Sequence, residues 1–381
     1  MVAVLTPADR TSFKTCRRAW DLAARERRNL VPIVGLGSLD IDRAIRDALA
    51  VYYFPGMWDW ARAVVIPLVG QALDKALSHE GARLGPERPP GFDRRAQAAR
   101  QLLAAYVEWA PGIERLAPVL VEVEYAAILA DPEQPDGALF TPGSDEHVSY
   151  RGRVDLLGVD EHDAYWIMRH RVVREWTPLS TLVRDEEAVA ACWAWPQHYI
   201  GMEIAGTIHN EMRLPTAVPS GDDADPLSAD GARQTAGPVR QHEGSGGGRS
   251  IPQHRRLDAR ASAPAEPKVV EHDTGPWFRR TWIRRSSAEI EQAGRQLASE
   301  ARTIFDPEVA VFPSPSAQAC GSCPFASPCL ALYEGKETQA EAILTSSYRT
   351  RSTEVVGGRL GGVTWSTGRG AAPPSFTGRR S

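Results

Sequence analysis

Three cysteines lie close together near the C-terminal end, Cys320, Cys323 and Cys329, in the stretch Cys320-Gly-Ser-Cys323-Pro-Phe-Ala-Ser-Pro-Cys329. The spacing is C-x2-C-x5-C. A tight C-x2-C loop can aim two thiolates at one metal centre, and a third cysteine a few residues on can reach the same centre. Pro324 and Pro328 are expected to stiffen the loop and keep it from forming one helix. A closed site needs a fourth ligand, and the chain holds five cysteines. Cys192 lies in the apolar run Ala188-Val-Ala-Ala-Cys-Trp193 and reads as a buried small hydrophobe. Cys16 lies among polar and basic residues and is the better fourth ligand. A structural zinc site more often pairs two short C-x2-C units. Three local thiolates and one distant one suit a four-cysteine iron–sulfur cube. The expectation is a [4Fe–4S] cluster on Cys16, Cys320, Cys323 and Cys329, joining the two ends of the chain, with zinc as the alternative. Disulfides are not expected in a chain this long with so few cysteines and no secretory pattern.

The chain has 381 residues, 43% hydrophobic and 24% charged, which is enough for a sizeable core in one large domain or two. The formal net charge of −4 does not advertise a nucleic-acid partner, so any basic surface must be local. No apolar run is long enough for a membrane span, and the first residues lack a signal-peptide pattern. A cytoplasmic protein with no membrane partner is expected.

Thr6-Pro7 reads as a helix cap and first turn, opening a helix to about Asn29 with Phe13, Cys16 and Trp20 on its inner face. Arg10, Lys14, Arg17, Arg18, Arg25, Arg27 and Arg28 form its remaining surface, either a solvated basic face or one that follows phosphates. Further helices are expected over 40–54, from Trp58 to His79 with Pro67 kinking or restarting it, and from Ala96 to Trp109. Strands follow over Ala117–Leu129, Tyr150–Val159 and Ala164–Val173, the last two joined as a hairpin through the Asp160–Asp163 turn. A helix is expected over 181–205, a strand over Trp277–Ile283, and a helix opened by the capping box Ser286-x-x-Glu289.

The N-terminal stretch Ser12-Phe-Lys-Thr-Cys16-Arg-Arg18-Ala-Trp20, followed much later by C-x2-C-x5-C, resembles the iron–sulfur-stapled nucleases of the RecB type. These belong to the PD-(D/E)XK superfamily and include CRISPR-associated exonucleases and AddB-like helicase–nuclease subunits. The resemblance implies an α/β (α+β) fold: a restriction-endonuclease-like core with a mixed sheet flanked by helices. It covers residues 6 to about 335. The organisation expected is residues 1–215 as N-terminal helices and core, 216–268 as a disordered insertion, 269–335 completing the same domain, and 336–381 as a disordered tail.

Such nucleases bind Mg²⁺ or Mn²⁺ through carboxylates, because hard cations prefer oxygen ligands. By the resemblance, Asp155 in Gly152-Arg-Val-Asp155-Leu matches the first motif acid, and Glu122 or Glu124, with Glu122 preferred, a preceding strand acid. Arg46 falls where a ligand histidine is expected, Arg169 where the second acid belongs, and Arg171 at the lysine. Glu187 and Ala191 take the places of a Q-x-x-x-Y motif. A fixed cation at the second acid repels a metal, and arginine does not replace lysine equivalently. Asp155 is expected to pair with Arg169 or Arg171 across the hairpin. The reading is a DNA-binding, catalytically impaired homologue in DNA processing or repair, partnered by DNA and by a helicase or other DNA-processing protein. The alternatives are an active metal-dependent exonuclease, with Asp160, Glu161 or Asp163 supplying carboxylates, and a metal-stapled interaction protein without a nucleic-acid role.

Overall fold

A computed structural model describes residues 2–33, 39–85, 88, 90–134, 136–214 and 269–351. The insertion expected over 216–268 lies outside these residues, as does the tail beyond 351. In chain order the elements are β1 (Ala3–Leu5), α1 (Pro7–Thr15), α2 (Arg17–Ala23), β2 (Leu30–Pro32), α3 (Ile41–Tyr52), α4 (Arg62–Leu84) and α5 (Phe92–Trp109). They continue with β3 (Ala117–Ile128), β4 (Val148–Val159), β5 (Tyr165–Val173), α6 (Leu179–Val183), α7 (Glu186–His198) and β6 (Ile204–Arg213). The last group is β7 (Val269–Thr274), β8 (Phe278–Arg284), α8 (Ser287–Ile304), α9 (Ala317–Gly321), α10 (Ala326–Tyr333), α11 (Glu337–Ser347) and β9 (Tyr348–Thr350).

A mixed sheet runs β1-β4-β5-β6-β8-β7, with β3 on the other edge of β4. β3, β4 and β5 are successively antiparallel, α7 crosses over, and β6 returns parallel to β5. One face is covered by α3, α4 and α5, with Ile45, Leu49, Leu102 and Tyr106 packed on Leu156, Met168 and Ile208. The other face is covered by α7 and α8, with Trp195, Cys192 and Leu297 packed on Val154, Leu157 and Ile167. The β4–β5 hairpin forms as its spacing predicts. Asp160 accepts the N–H groups of His162 and Ala164 and the indole N–H of Trp166, so it holds the turn rather than a metal.

Several expectations are corrected. The N-terminal helix is not continuous to Asn29: Cys16 adopts an extended conformation between α1 and α2, and α2 ends at Ala23. The break is supported by the Arg18 N–H, which donates to Phe312 O at 3.1 Å in the C-terminal segment. The basic face is not free either. Arg10 and Lys14 pair with Glu186 and Glu300, Arg27 with Asp21 and Arg28 with Glu341. Arg17 lies over the rings of Phe13 and Phe312. The 181–205 helix is two helices, α6 and α7, and the central strand β6 follows it. Pro67 sits inside an unbroken α4.

The described part of the tail expected from 336 onward, as far as residue 351, is ordered as α11 and β9. β9 pairs antiparallel with β2, Leu30 against Thr350, and Leu22, Phe325, Leu344 and Tyr348 form a small third core. The segments around residues 22–32 and 325–350 are therefore joined by a ladder and an apolar core.

Between α3, α5 and the sheet lies a buried polar network. Arg280, 0% exposed, donates to Glu114 Oε1 at 2.9 Å, Tyr53 Oη at 2.9 Å and Tyr106 Oη at 3.1 Å. Asn210 donates to Tyr106 Oη at 2.9 Å and meets His170 Nδ1 at 2.8 Å. A buried ion held this way is costly to break, because the partner carboxylate is left without compensation. Arg280→Met is expected to lower unfolding stability by about 3–5 kcal/mol, read from the urea midpoint. An unchanged midpoint would show that Glu114 and the tyrosines do not depend on this guanidinium.

Candidate functional site

β4 and β5 pair from Val159–Tyr165 to Leu156–Met168 and then diverge. At the fork, the Asp155 side chain takes over from the backbone ladder: its Oδ2 accepts the His170 N–H at 2.8 Å. On the other edge of β4, Glu122 faces Asp155 between the pairs Val121–Leu156 and Val123–Val154. Glu122 has φ of 50°, a left-handed conformation that a β-strand residue rarely adopts. The two expected acids thus meet where the sheet is locally distorted.

α3 supplies the next residues. Asp40 caps it by accepting the Arg43 N–H at 3.0 Å. Asp42 and Arg46, one turn apart, face β5: Asp42 Oδ1 accepts the Val172 N–H at 2.7 Å. Arg46 lies 3.2 Å from Asp42 Oδ2 and 3.7 Å from Asp155 Oδ1. Asp155 therefore pairs with Arg46, not with Arg169 or Arg171 as expected across the hairpin. Arg169 reaches α7 instead, donating to both Asp185 oxygens at 3.0 and 2.9 Å, and its Nη2 lies 2.6 Å from Glu187 Oε2. Asp185 also caps α7, accepting the Ala188 N–H at 3.0 Å. Arg171 is held loosely, 3.9 Å from both Asp42 and Glu187. His209 lies 3.8 Å from Asp185 on the neighbouring strand. The result is a lattice of alternating sign: Asp155, Arg46, Asp42, Arg171, Glu187, Arg169, Asp185.

The electrostatics follow. Burial works against the charge of Arg46 and Arg169, yet their carboxylate partners hold both guanidiniums above the ordinary range. Arg171 is pushed down by burial and by neighbouring Arg169. Burial also lowers Asp185's affinity for charge, but Arg169 overrides it and holds the carboxyl below its usual range. His170 and His209 are pushed down to about 4, first by burial, and are neutral near pH 7. Glu122 goes the other way. Burial raises it to about 7, opposed by Arg153 at 2.9 Å and reinforced by Asp155.

These residues do not fit a divalent ion. Mg²⁺ needs oxygens at about 2.0–2.1 Å in octahedral array. Asp155 already serves a backbone N–H and a guanidinium, and Asp42, Asp185 and Glu187 are committed to arginines. Glu161 is 79% exposed and lies 3.7 Å from His162, in the turn that Asp160 holds and away from the fork. Sequence reasoning missed Asp42 and Asp185; the signals were an acid one turn before Arg46 and an acid at a helix cap.

The cysteines gather elsewhere. Cys16, at the break between α1 and α2, lines one pocket of about 420 Å³ with Cys320 from α9, Cys323 from the turn and Cys329 from α10. Pro328 falls early in α10 and does not stop it. Ser316 caps α9 by accepting the Ala319 N–H at 3.0 Å. The Cys323 thiol is raised by burial, lowered by the Phe325 N–H and raised again by the nearby Cys16, Cys329 and Cys320. Cys192 is 0% exposed in the core under α7, and burial pushes it up to about 12. Among the described residues, no group of three or more His, Cys, Asp or Glu is arranged to hold a metal ion. The four-cysteine pocket has room for a larger centre and the thiol chemistry to bind one.

The chain matches no family model, and no curated protein matches it in sequence. Among the described residues, no helix is long and apolar enough to cross a membrane.

Glu122 makes a pH prediction. A carboxyl raised in the fold favours the protonated native state. Its contribution is complete below the ordinary glutamate range and is lost as pH rises through about 7. Wild-type stability should fall across that window, and Glu122→Gln should remove that part of the fall. Parallel stability–pH profiles for the two proteins would contradict the assignment.

Proposed function

We propose that this chain is a RecB-like PD-(D/E)XK nuclease-family protein that binds DNA without metal-dependent cleavage and carries an iron–sulfur cluster. Its place is DNA processing or repair, alongside a helicase or another DNA-processing protein. The observation that carries the reading is the position of the ion lattice. It occupies the fork of the β4–β5 hairpin, where the resemblance expects the metal, and guanidiniums stand at the ligand and lysine positions. The order helix, strand, hairpin, helix agrees with the same core. Glu187, at the altered glutamine position, neutralises Arg169 at the altered acid position, so the substitutions compensate one another within one scaffold.

Phosphate recognition falls to Arg171. It is 36% exposed and the most loosely paired guanidinium of the lattice. A phosphodiester oxygen can displace a carboxylate at 3.9 Å more readily than one bonded to Arg169 at 2.6–3.0 Å. No divalent ion is needed for such a contact.

Cys16, Cys320, Cys323 and Cys329 would hold the cluster, which supplies a rigid four-thiolate link between the chain ends and a one-electron redox centre. Zinc with sulfurs at about 2.3 Å requires tetrahedral sulfurs under about 4 Å apart. The convergence of all four cysteines on one pocket of about 420 Å³ supports the larger centre.

The test is anisotropy of a labelled single-stranded oligonucleotide with EDTA present. Binding should persist in EDTA and weaken as salt rises. Arg171→Gln should reduce affinity and remove about one phosphate contact from the salt slope. Cleavage on adding Mg²⁺ or Mn²⁺ would contradict the proposal. Absence of any DNA affinity would favour the interaction-protein reading.

A further inference from the structure

The four cysteines are not equivalent. Cys320 is exposed, whereas Cys16, Cys323 and Cys329 are half-buried. Two donors point at the sulfurs. The Phe325 N–H faces Cys323, and Arg18 donates through Nη1 to Cys329 Sγ at 3.8 Å. Arg18 lies in α2, two residues beyond Cys16, and lines the same pocket. Its backbone is fixed by the Phe312 carbonyl at 3.1 Å. Unlike Arg10, Arg27 and Arg28, it has no carboxylate partner among the described residues; its side chain donates to the Cys329 sulfur. The pocket wall around it is largely apolar, formed by Ala19, Leu22, Pro313, Phe325 and Leu330.

We infer that Arg18 is the charge partner of the four-cysteine site and sets the potential at which that site accepts an electron. This rests on the cluster reading above. Four thiolates around an oxidised [4Fe–4S] core carry net negative charge, and one-electron reduction adds another. A guanidinium beside one sulfur, in a wall of low polarity, stabilises the reduced state more than the oxidised state. Hydrogen bonds to sulfur and local charge are the levers that move such potentials. The sign is fixed: removing the cation makes the midpoint more negative. Cys320 is the corner open to solvent, and Arg18 covers the Cys329 corner, so charge compensation is one-sided. Arg18 acts on the sulfurs and is a positioning residue.

The experiment uses the full chain, purified and reconstituted without oxygen, as wild type, Arg18→Lys and Arg18→Gln, with Cys16→Ala as a control for iron loss. Iron and sulfide are counted, and the midpoint is read by EPR during titration with dithionite. Wild type should hold about four irons per chain, the cube's complement. Arg18→Gln should shift the midpoint negative at unchanged iron content, and Arg18→Lys should stay closer to wild type. Loss of iron from Arg18→Gln with retention in Arg18→Lys also supports charge compensation. An unchanged midpoint in iron-replete Arg18→Gln overturns the inference and leaves the cluster reading standing. Loss of iron from both Arg18 variants overturns it too, because it gives the residue a packing role. Wild type without iron and sulfide overturns both this inference and the reading beneath it.

Discussion

Alternation of charge at the hairpin fork is the constraint on which the rest depends. Asp155 opens the lattice at the point where β4 and β5 part, and Arg46, Asp42, Arg171, Glu187, Arg169 and Asp185 continue it. Three layers contribute: α3 from one face of the sheet, β4 and β5 from the sheet itself, and α7 from the other face. Each buried charge is tolerable only because its neighbour is present. The same mutual dependence commits the carboxylates and leaves no ligand set for a divalent ion.

The cysteine pocket and the lattice are physically continuous. α1 ends beside the pocket, and its Arg10 and Lys14 reach Glu186 on the first turn of α7. The residues on either side of Glu186, Asp185 and Glu187, hold Arg169. The break at Cys16 thus serves two ends: it frees a thiol toward the C-terminal loop while α1 stays anchored on α7 and α8. The β2–β9 ladder and the small core of Leu22, Phe325, Leu344 and Tyr348 hold the same junction from the far side.

Much of this was legible in the sequence, and the exceptions have physical causes. The helix caps at Thr6 and Ser286, the hairpin and the apolar stripes obey local rules, and they form where those rules place them. The strand β6 escaped because its interior carries Thr207, His209, Asn210 and Glu211, which read as surface. They are buried because Arg279, Arg280 and Arg285 from elsewhere need partners there. The break at Cys16 escaped because Phe13, Cys16 and Trp20 keep helical spacing through it. α11 escaped because Ala340 and Leu344 are its only buried residues. At the site, Asp155 and the arginines were placed by motif. The pairing of Asp155 with Arg46 was not, because the antiparallel register points to Arg169 while α3 approaches from outside the sheet.

The central claim is that the fork is closed by arginines and does not take a divalent metal. Isothermal titration of Mn²⁺ into the wild type and into Asp155→Ala tests it most directly. The account predicts no saturable heat for either protein beyond that of dilution. Saturable binding to the wild type that disappears in Asp155→Ala would show that the carboxylates release their arginines and form a metal site.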